Sequence, residues 1–198
     1  MLLDILKKRC SVRKFSKKEV SQEIIDYILE AGRLSPSGGN EQPWKFVVIK
    51  ERDLIKEISE IAYNQKWIEN ASFLIVLITT IVADEKGGRD IQKARFSEIK
   101  DEVETMDKDL FSKINLEEHQ TKIPGTHMVL AALEHGIGST WVSLFKVTEL
   151  AKVLGLPEGH IPSEIIAFGY PKAEMKATKK KKKDEVVFYN HFFRKKTT

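Results

Sequence analysis

The amino-acid sequence predicts one domain in which helices cover both faces of a central β-sheet. Three observations point there. The run Phe73-Leu74-Ile75-Val76-Leu77-Ile78 has no polar side, as expected of a strand packed on both faces, and it is too short to cross a bilayer. Ile24, Ile25, Ile28 and Leu29 line one face of a helix, and Met128-Val129-Leu130-Ala131-Ala132-Leu133 marks a second helix buried more deeply. Strand-like and helix-like stretches follow one another irregularly, without the steady beat of a doubly wound sheet.

Taken in order, Leu2 to Lys8 reads as an amphipathic helix that stops near Ser11. A second helix runs from Ser21 and ends around Gly32, before Pro36. Phe46-Val47-Val48-Ile49 reads as a strand, and Pro43 sets where its pairing can begin. Leu54, Ile55, Ile58 and Ile61 make another helix face, and Ser72 to Thr80 a long central strand. Residues 85–118 are dense in charge, with apolar positions at Ile91, Phe96, Ile99, Val103, Met106, Leu110 and Phe111. They predict one long or two shorter surface helices, an excursion from the domain. Ile123 to His135 is the buried helix, with Gly136 as its C-cap. Ile137 to Leu144 leads into a short helix at Leu150–Leu154. Ile165-Ile166-Ala167-Phe168 reads as a strand closed by Gly169-Tyr170-Pro171, and Val186-Val187-Phe188-Tyr189 as a last strand.

Length and composition narrow the class. A chain of 198 residues with 41% hydrophobic and 31% charged residues suits one globular domain spanning 1–198. The net charge of +4 is mild and much of it sits in the run Lys179 to Lys183, which argues against a general polyanion-binding surface. The single cysteine, Cys10, excludes an internal disulfide and a cysteine-based zinc cluster. Asp4 interrupts the short apolar start and the basic residues follow it, the wrong order for a signal peptide, so a cytoplasmic location without membrane attachment is expected.

Two clusters of hydrogen-bond donors carry the chemistry. In Arg9-Cys10-Ser11-Val12-Arg13-Lys14-Phe15, an extended backbone turns Arg9, Ser11 and Arg13 one way and Cys10 and Val12 the other. Guanidiniums present a planar fork of donors suited to phosphate and to carbonyl-rich rings. In Ser35-Pro36-Ser37-Gly38-Gly39-Asn40-Glu41-Gln42-Pro43-Trp44, hydroxyls and amides crowd around two glycines whose backbone can approach a ligand closely. Together they point to a site for an anionic, heteroatom-rich small molecule.

These two segments resemble the signature of the FMN-dependent nitroreductase family. The resemblance continues through Asn64 and Asn70-Ala71-Ser72, through Leu130 to Trp141 with Gly136-Ile137-Gly138, and through Gly169-Tyr170-Pro171 to Asp184-Glu185-Val186-Val187. It implies an α+β, three-layer α/β/α sandwich with a mixed, mostly antiparallel sheet. It also implies a homodimer with FMN at the interface, and a 172–198 extension that crosses toward the partner. By the same resemblance, Arg9 and Ser11 hold the phosphate and ribityl end, with Cys10 in the same segment. Arg13 faces the N1/C2 carbonyl edge, where a cation favours reduced flavin. Pro36, Ser37 and Asn40 come from the other subunit, Asn64 contacts the pyrimidine side, and Ser143 and Leu144 present backbone groups near N5. The implied activity is ping-pong hydride transfer from NADH or NADPH, through flavin N5, to a nitroaromatic, quinone or similar planar acceptor. No side-chain acid or base is required. There are departures: Ser143 stands where a glycine is common, Trp67 where a basic residue is frequent, and His127 where an asparagine is frequent.

The lysine run on its own reads as a solvated loop. Through the resemblance, Lys180 and Lys182 are assigned to the FMN phosphate, which needs cationic partners in a partly buried site. No metal site is expected, since His119, His127 and His135 are too widely spaced on one helix. An FMN enzyme with a specialised reaction, dehalogenation or flavin fragmentation, is the alternative. A nucleic-acid patch at 179–183 is more remote, because no aromatic residues interleave with its lysines.

Overall fold

The computed structural model describes residues 2–80, 93, 97–105 and 116–192, with the backbone alone for 116–119. Seven α-helices are named among them: α1 (Leu2–Lys8), α2 (Gln22–Arg33), α3 (Arg52–Ile61), α4 (Lys100–Thr105), α5 (Leu116–Glu134), α6 (Val147–Val153) and α7 (Lys183–Val186). The strands are β1 (Trp44–Ile49), β2 (Phe73–Thr80), β3 (Gly138–Val142) and β4 (His160–Gly169). They form one sheet in the order β1-β2-β4-β3, with every strand pair antiparallel. Among the described residues the one parallel component is an isolated bridge from Ser11 to Ser139, which lays the segment around Ser11 along β3.

The apolar run of β2 is buried on both faces, as its sequence requires. Leu74, Val76 and Ile78 pack with Ile55, Ile58 and Leu150 of α3 and α6. Phe73, Ile75 and Leu77 pack with Ile25, Ile28 and Met128 of α2 and α5. The result is the three-layer α+β arrangement, and each such side chain contributes roughly 1.5–3 kcal/mol by leaving water. Gly125 lets α5 sit close to the sheet, since a Cβ there would lie 2.5 Å from Trp141 and 2.6 Å from Leu77.

Several boundaries differ from the sequence expectation. α2 ends at Arg33, one residue past Gly32 as expected, but Gly32 serves packing rather than capping: it is buried against Met128, where a side chain would collide with the thioether. The buried helix begins seven residues before Ile123 and carries Pro124 inside it. Its end matches, because Gly136 takes φ +70° and the Ile137 N–H reaches back to the Ala132 carbonyl at 3.0 Å. Val186 to Tyr189 do not form a strand. Lys183–Val186 make a helical turn, started where the Glu185 carboxylate accepts the Lys182 N–H at 2.8 Å. β-Propensity acts through cross-strand neighbours, and this segment has none within the described residues. The 85–118 excursion lies largely outside the described residues; within them, Ser97–Ile99 is a 3-10 turn that leads into α4, with Val103 buried. No helix among the described residues is long and apolar enough to cross a membrane.

Candidate functional site

The 9–13 segment is built as an extra edge on β3. The Val12 N–H donates to the Ser139 carbonyl at 3.0 Å, and Thr140 Oγ1 donates to the Val12 carbonyl at 2.6 Å. Val12 is 7% exposed and faces the core, while Ser11 and Arg13 are exposed, so the expected alternation is present. Cys10 is half-buried and packs against the core. Gly138 makes the close approach possible: a Cβ there would lie 2.6 Å from Val12 Cγ2. Downstream, the Lys172 N–H donates to the Lys14 carbonyl at 2.9 Å and Phe15 bridges to Pro171, which fixes the far end.

The parallel register of Ser11 with Ser139 sets Arg13 level with Trp141, about 7 Å short of Ser143 along the strand direction. Arg9 closes α1, its N–H donating to the Ile5 carbonyl at 3.2 Å, so a cation stands on either side of Ser11 in the sequence. The Arg13 guanidinium sits 5.7 Å from the Trp67 ring centroid, so Trp67 supports the cation by its π face. Gln65 Nε2 donates to the Leu144 carbonyl at 3.2 Å, and the Lys146 N–H donates to the Ile61 carbonyl at 3.2 Å. Asn64, exposed and at φ +56°, occupies the left-handed region that asparagine tolerates. The structure thus brings Arg13, Asn64 and the Ser143–Leu144 turn to one corner of the sheet.

The second cluster lies elsewhere. Pro36, Ser37 and Asn40 lead into β1, the opposite sheet edge, which lies four strand spacings or about 19 Å from the 9–13 segment. They are anchored to α5 instead. The Gly38 N–H donates to Gln120 Oε1 at 2.6 Å, and buried Ser35 shares a 2.7 Å hydrogen bond with His127 Nδ1. Ser37 Oγ accepts the Gln42 N–H at 2.9 Å across a turn in which Gly39, Asn40 and Gln42 all take positive φ. Among the described residues no hydrogen bond joins the two clusters.

Lys180 and Lys182 are exposed, and among the described contacts none links them to Arg9. A concavity of about 670 Å³ lined by Lys183, Phe188, His191 and Phe192 is built by the C-terminal segment and holds no residue of either donor cluster. No cluster of potential metal ligands occurs among the described residues.

Sequence reasoning missed Gln65, Gln120 and Glu164. The last left a trace, a lone acid in the apolar strand between Pro162 and Ile165. Its carboxylate is buried, accepts from Ser143 Oγ at 2.6 Å and pairs with Lys122 at 3.3 Å.

Comparison with known proteins adds an independent line. A model described as the nitroreductase family matches residues 6–170. A relative from Archaeoglobus fulgidus, whose name pairs NADH dehydrogenase with NAD(P)H nitroreductase, is 31% identical over 176 residues, 87% of this chain and 86% of that protein. The solved NADPH:FMN oxidoreductase from Vibrio harveyi, complexed with NAD+, superposes with a TM-score of 0.77 at 19% identity, covering 98% of this chain and 78% of that one. Iodotyrosine deiodinase from Nematostella vectensis is 36% identical over 80 residues, 35% of this chain and 30% of that protein.

Proposed function

The chain belongs to the nitroreductase family, and from that premise we propose that it is an FMN-dependent NAD(P)H oxidoreductase acting on nitroaromatic, quinone or similar planar acceptors. Membership makes it an oxidoreductase of flavin type. The carrying observation is the corner where Arg13, braced by Trp67, meets Asn64 and the Ser143–Leu144 turn.

The donor set fits FMN. Arg9 and Ser11 offer charge-assisted and neutral hydrogen bonds to a phosphate and a ribityl chain laid along the strand edge. Arg13 places fixed positive charge where a reduced ring would carry its negative charge. Asn64 adds an amide at the same corner, and the backbone of Ser143 and Leu144 closes it. Lys180 and Lys182, on the extension that leaves β4, complete the phosphate charge. FMN, when bound, supplies hydride acceptance and release at ring N5. NADH or NADPH and the acceptor would occupy the same face in turn, which gives ping-pong order.

The separation of the two donor clusters supports a homodimer. Pro36, Ser37 and Asn40 lead into the sheet edge opposite the 9–13 segment and are tethered to α5, so in a dimer they would close over the flavin of a second copy. Purified protein should be yellow and should bleach anaerobically on addition of NADH or NADPH. A colourless protein that takes up no FMN contradicts the reading. The deiodinase match favours reductive dehalogenation as a second reading. Halide release from a halogenated phenol, compared with turnover of a nitroaromatic or quinone, separates the two.

A further inference from the structure

One acidic side chain enters the otherwise apolar middle of β4. Glu164 pairs in register with Leu77 and faces α5, and its side chain is only 6% exposed. A carboxylate at that depth keeps its charge only with close partners. Its two oxygens are divided between them. Oε1 lies 3.3 Å from Lys122 Nζ, a cation on α5 that is 41% exposed. Oε2 accepts the Ser143 hydroxyl at 2.6 Å.

Ser143 is itself exposed and could direct its hydroxyl to water. The short bond to a buried charge turns the side chain inward instead, so the turn presents its backbone outward. Lys122 also sits among committed neighbours: Gln120 holds Gly38, and Thr121 accepts a 2.9 Å hydrogen bond from Thr79. Thr121 ties α5 to β2 just before the lysine and Gly125 lets the helix pack on Trp141 and Leu77 just after it, which makes this stretch a firm support for the carboxylate.

We propose that Glu164 is a positioning residue: braced by Lys122, its carboxylate draws the Ser143 hydroxyl inward and fixes the Ser143–Leu144 turn in the geometry that meets the flavin ring. This role rests on the FMN reading above. It also explains how a serine is accommodated at a turn that has to stay open to a flat ligand.

Full-length protein stripped of FMN and titrated with FMN, followed by fluorescence quenching, tests the role. Ser143→Ala should raise the FMN Kd about tenfold. Glu164→Gln keeps an oxygen acceptor for Ser143, so its Kd should stay within about threefold of wild type. The double variant Lys122→Leu/Glu164→Leu removes both charges while keeping the interior filled. It should match Ser143→Ala, and adding Ser143→Ala to it should cost nothing more, because the two changes break the same contact. The midpoint potential of reconstituted Glu164→Gln should rise, since a negative charge near the ring is lost while Lys122 remains. Wild-type Kd and potential in all variants overturn the positioning role and leave the FMN reading standing. Weakened binding in Glu164→Gln beside unchanged binding in Ser143→Ala overturns it as well. A wild-type chain that binds no FMN overturns both.

Discussion

Residues 9–13 are held to β3 through the backbone N–H and carbonyl of Val12, whereas residues 35–38 are held to α5 by the side chains of Gln120 and His127. In the first segment, Val12 bonds through both its N–H and its carbonyl to β3 and its side chain lies in the core. In the second, Gln120 and His127 supply the anchors, and Gly39, Asn40 and Gln42 all take positive φ. Backbone pairing leaves a segment one register, because a one-residue slip would turn Val12 out and Arg13 in. Side-chain tethers tolerate more adjustment. In the proposed dimer, the contrast suits a cradle with a fixed floor, given by one chain, and a fitted cover, given by the other.

The strongest way to break this contrast is to spoil the floor. Gly138→Val puts a side chain into the space Val12 occupies. The expected result is loss of bound FMN, seen in the visible absorbance, with about 1–3 kcal/mol lost in urea denaturation. Retention of FMN would mean that the 9–13 edge is not the floor. Next in size is Arg13→Ala, which should weaken FMN roughly 10- to 100-fold by loss of charge-assisted hydrogen bonds. Arg13→Lys should recover only part, because an ammonium lacks the planar fork.

A smaller effect is expected at the cover. Gln120→Ala removes one tether of Gly38 and should weaken FMN by less than about tenfold while stability changes by about 1 kcal/mol. An effect equal to that of Arg13→Ala would erase the distinction between floor and cover. The smallest effect concerns pH. Lys146, just beyond the Ser143–Leu144 turn, is held above its ordinary value of 10.5 by its hydrogen bond to Glu149 and by that residue's charge. A raised pKa contributes stability below the unfolded value and loses it as pH climbs through the folded one. Stability should thus be insensitive to this pair between about pH 6 and 9 and fall slightly in stronger alkali. Glu149→Gln should abolish that alkaline component in thermal melts.

Much of the fold was legible because β2 has one possible environment: six consecutive apolar residues with no polar face must lie between two layers. The alternation at 9–13 was legible for the same reason, since Val12 is the apolar residue flanked by Ser11 and Arg13. Val186 to Tyr189 misled because their β-propensity has no cross-strand neighbour to act through. The early start of α5 was hidden by Pro124, which usually marks a first turn but here sits inside the helix. Glu164 could be noticed as an odd acid, but its partners are 21 and 42 positions away, at Ser143 and Lys122, and only the register of β4 against β2 and β3 brings them together.

The most direct test of a floor and a cover drawn from different chains is a mixed dimer. One copy would carry Arg9→Ala and Arg13→Ala, the other Ser37→Ala and Asn40→Ala, with separate tags for isolating the mixed species. Each parent alone should lose FMN. If floor and cover come from different chains, one site of the mixed dimer collects all four changes and the other is wild type. Bound FMN should then return to about one per dimer, read from the flavin absorbance. A mixed dimer as empty as its parents would contradict the account, because each copy would then be building its own site from its own two segments.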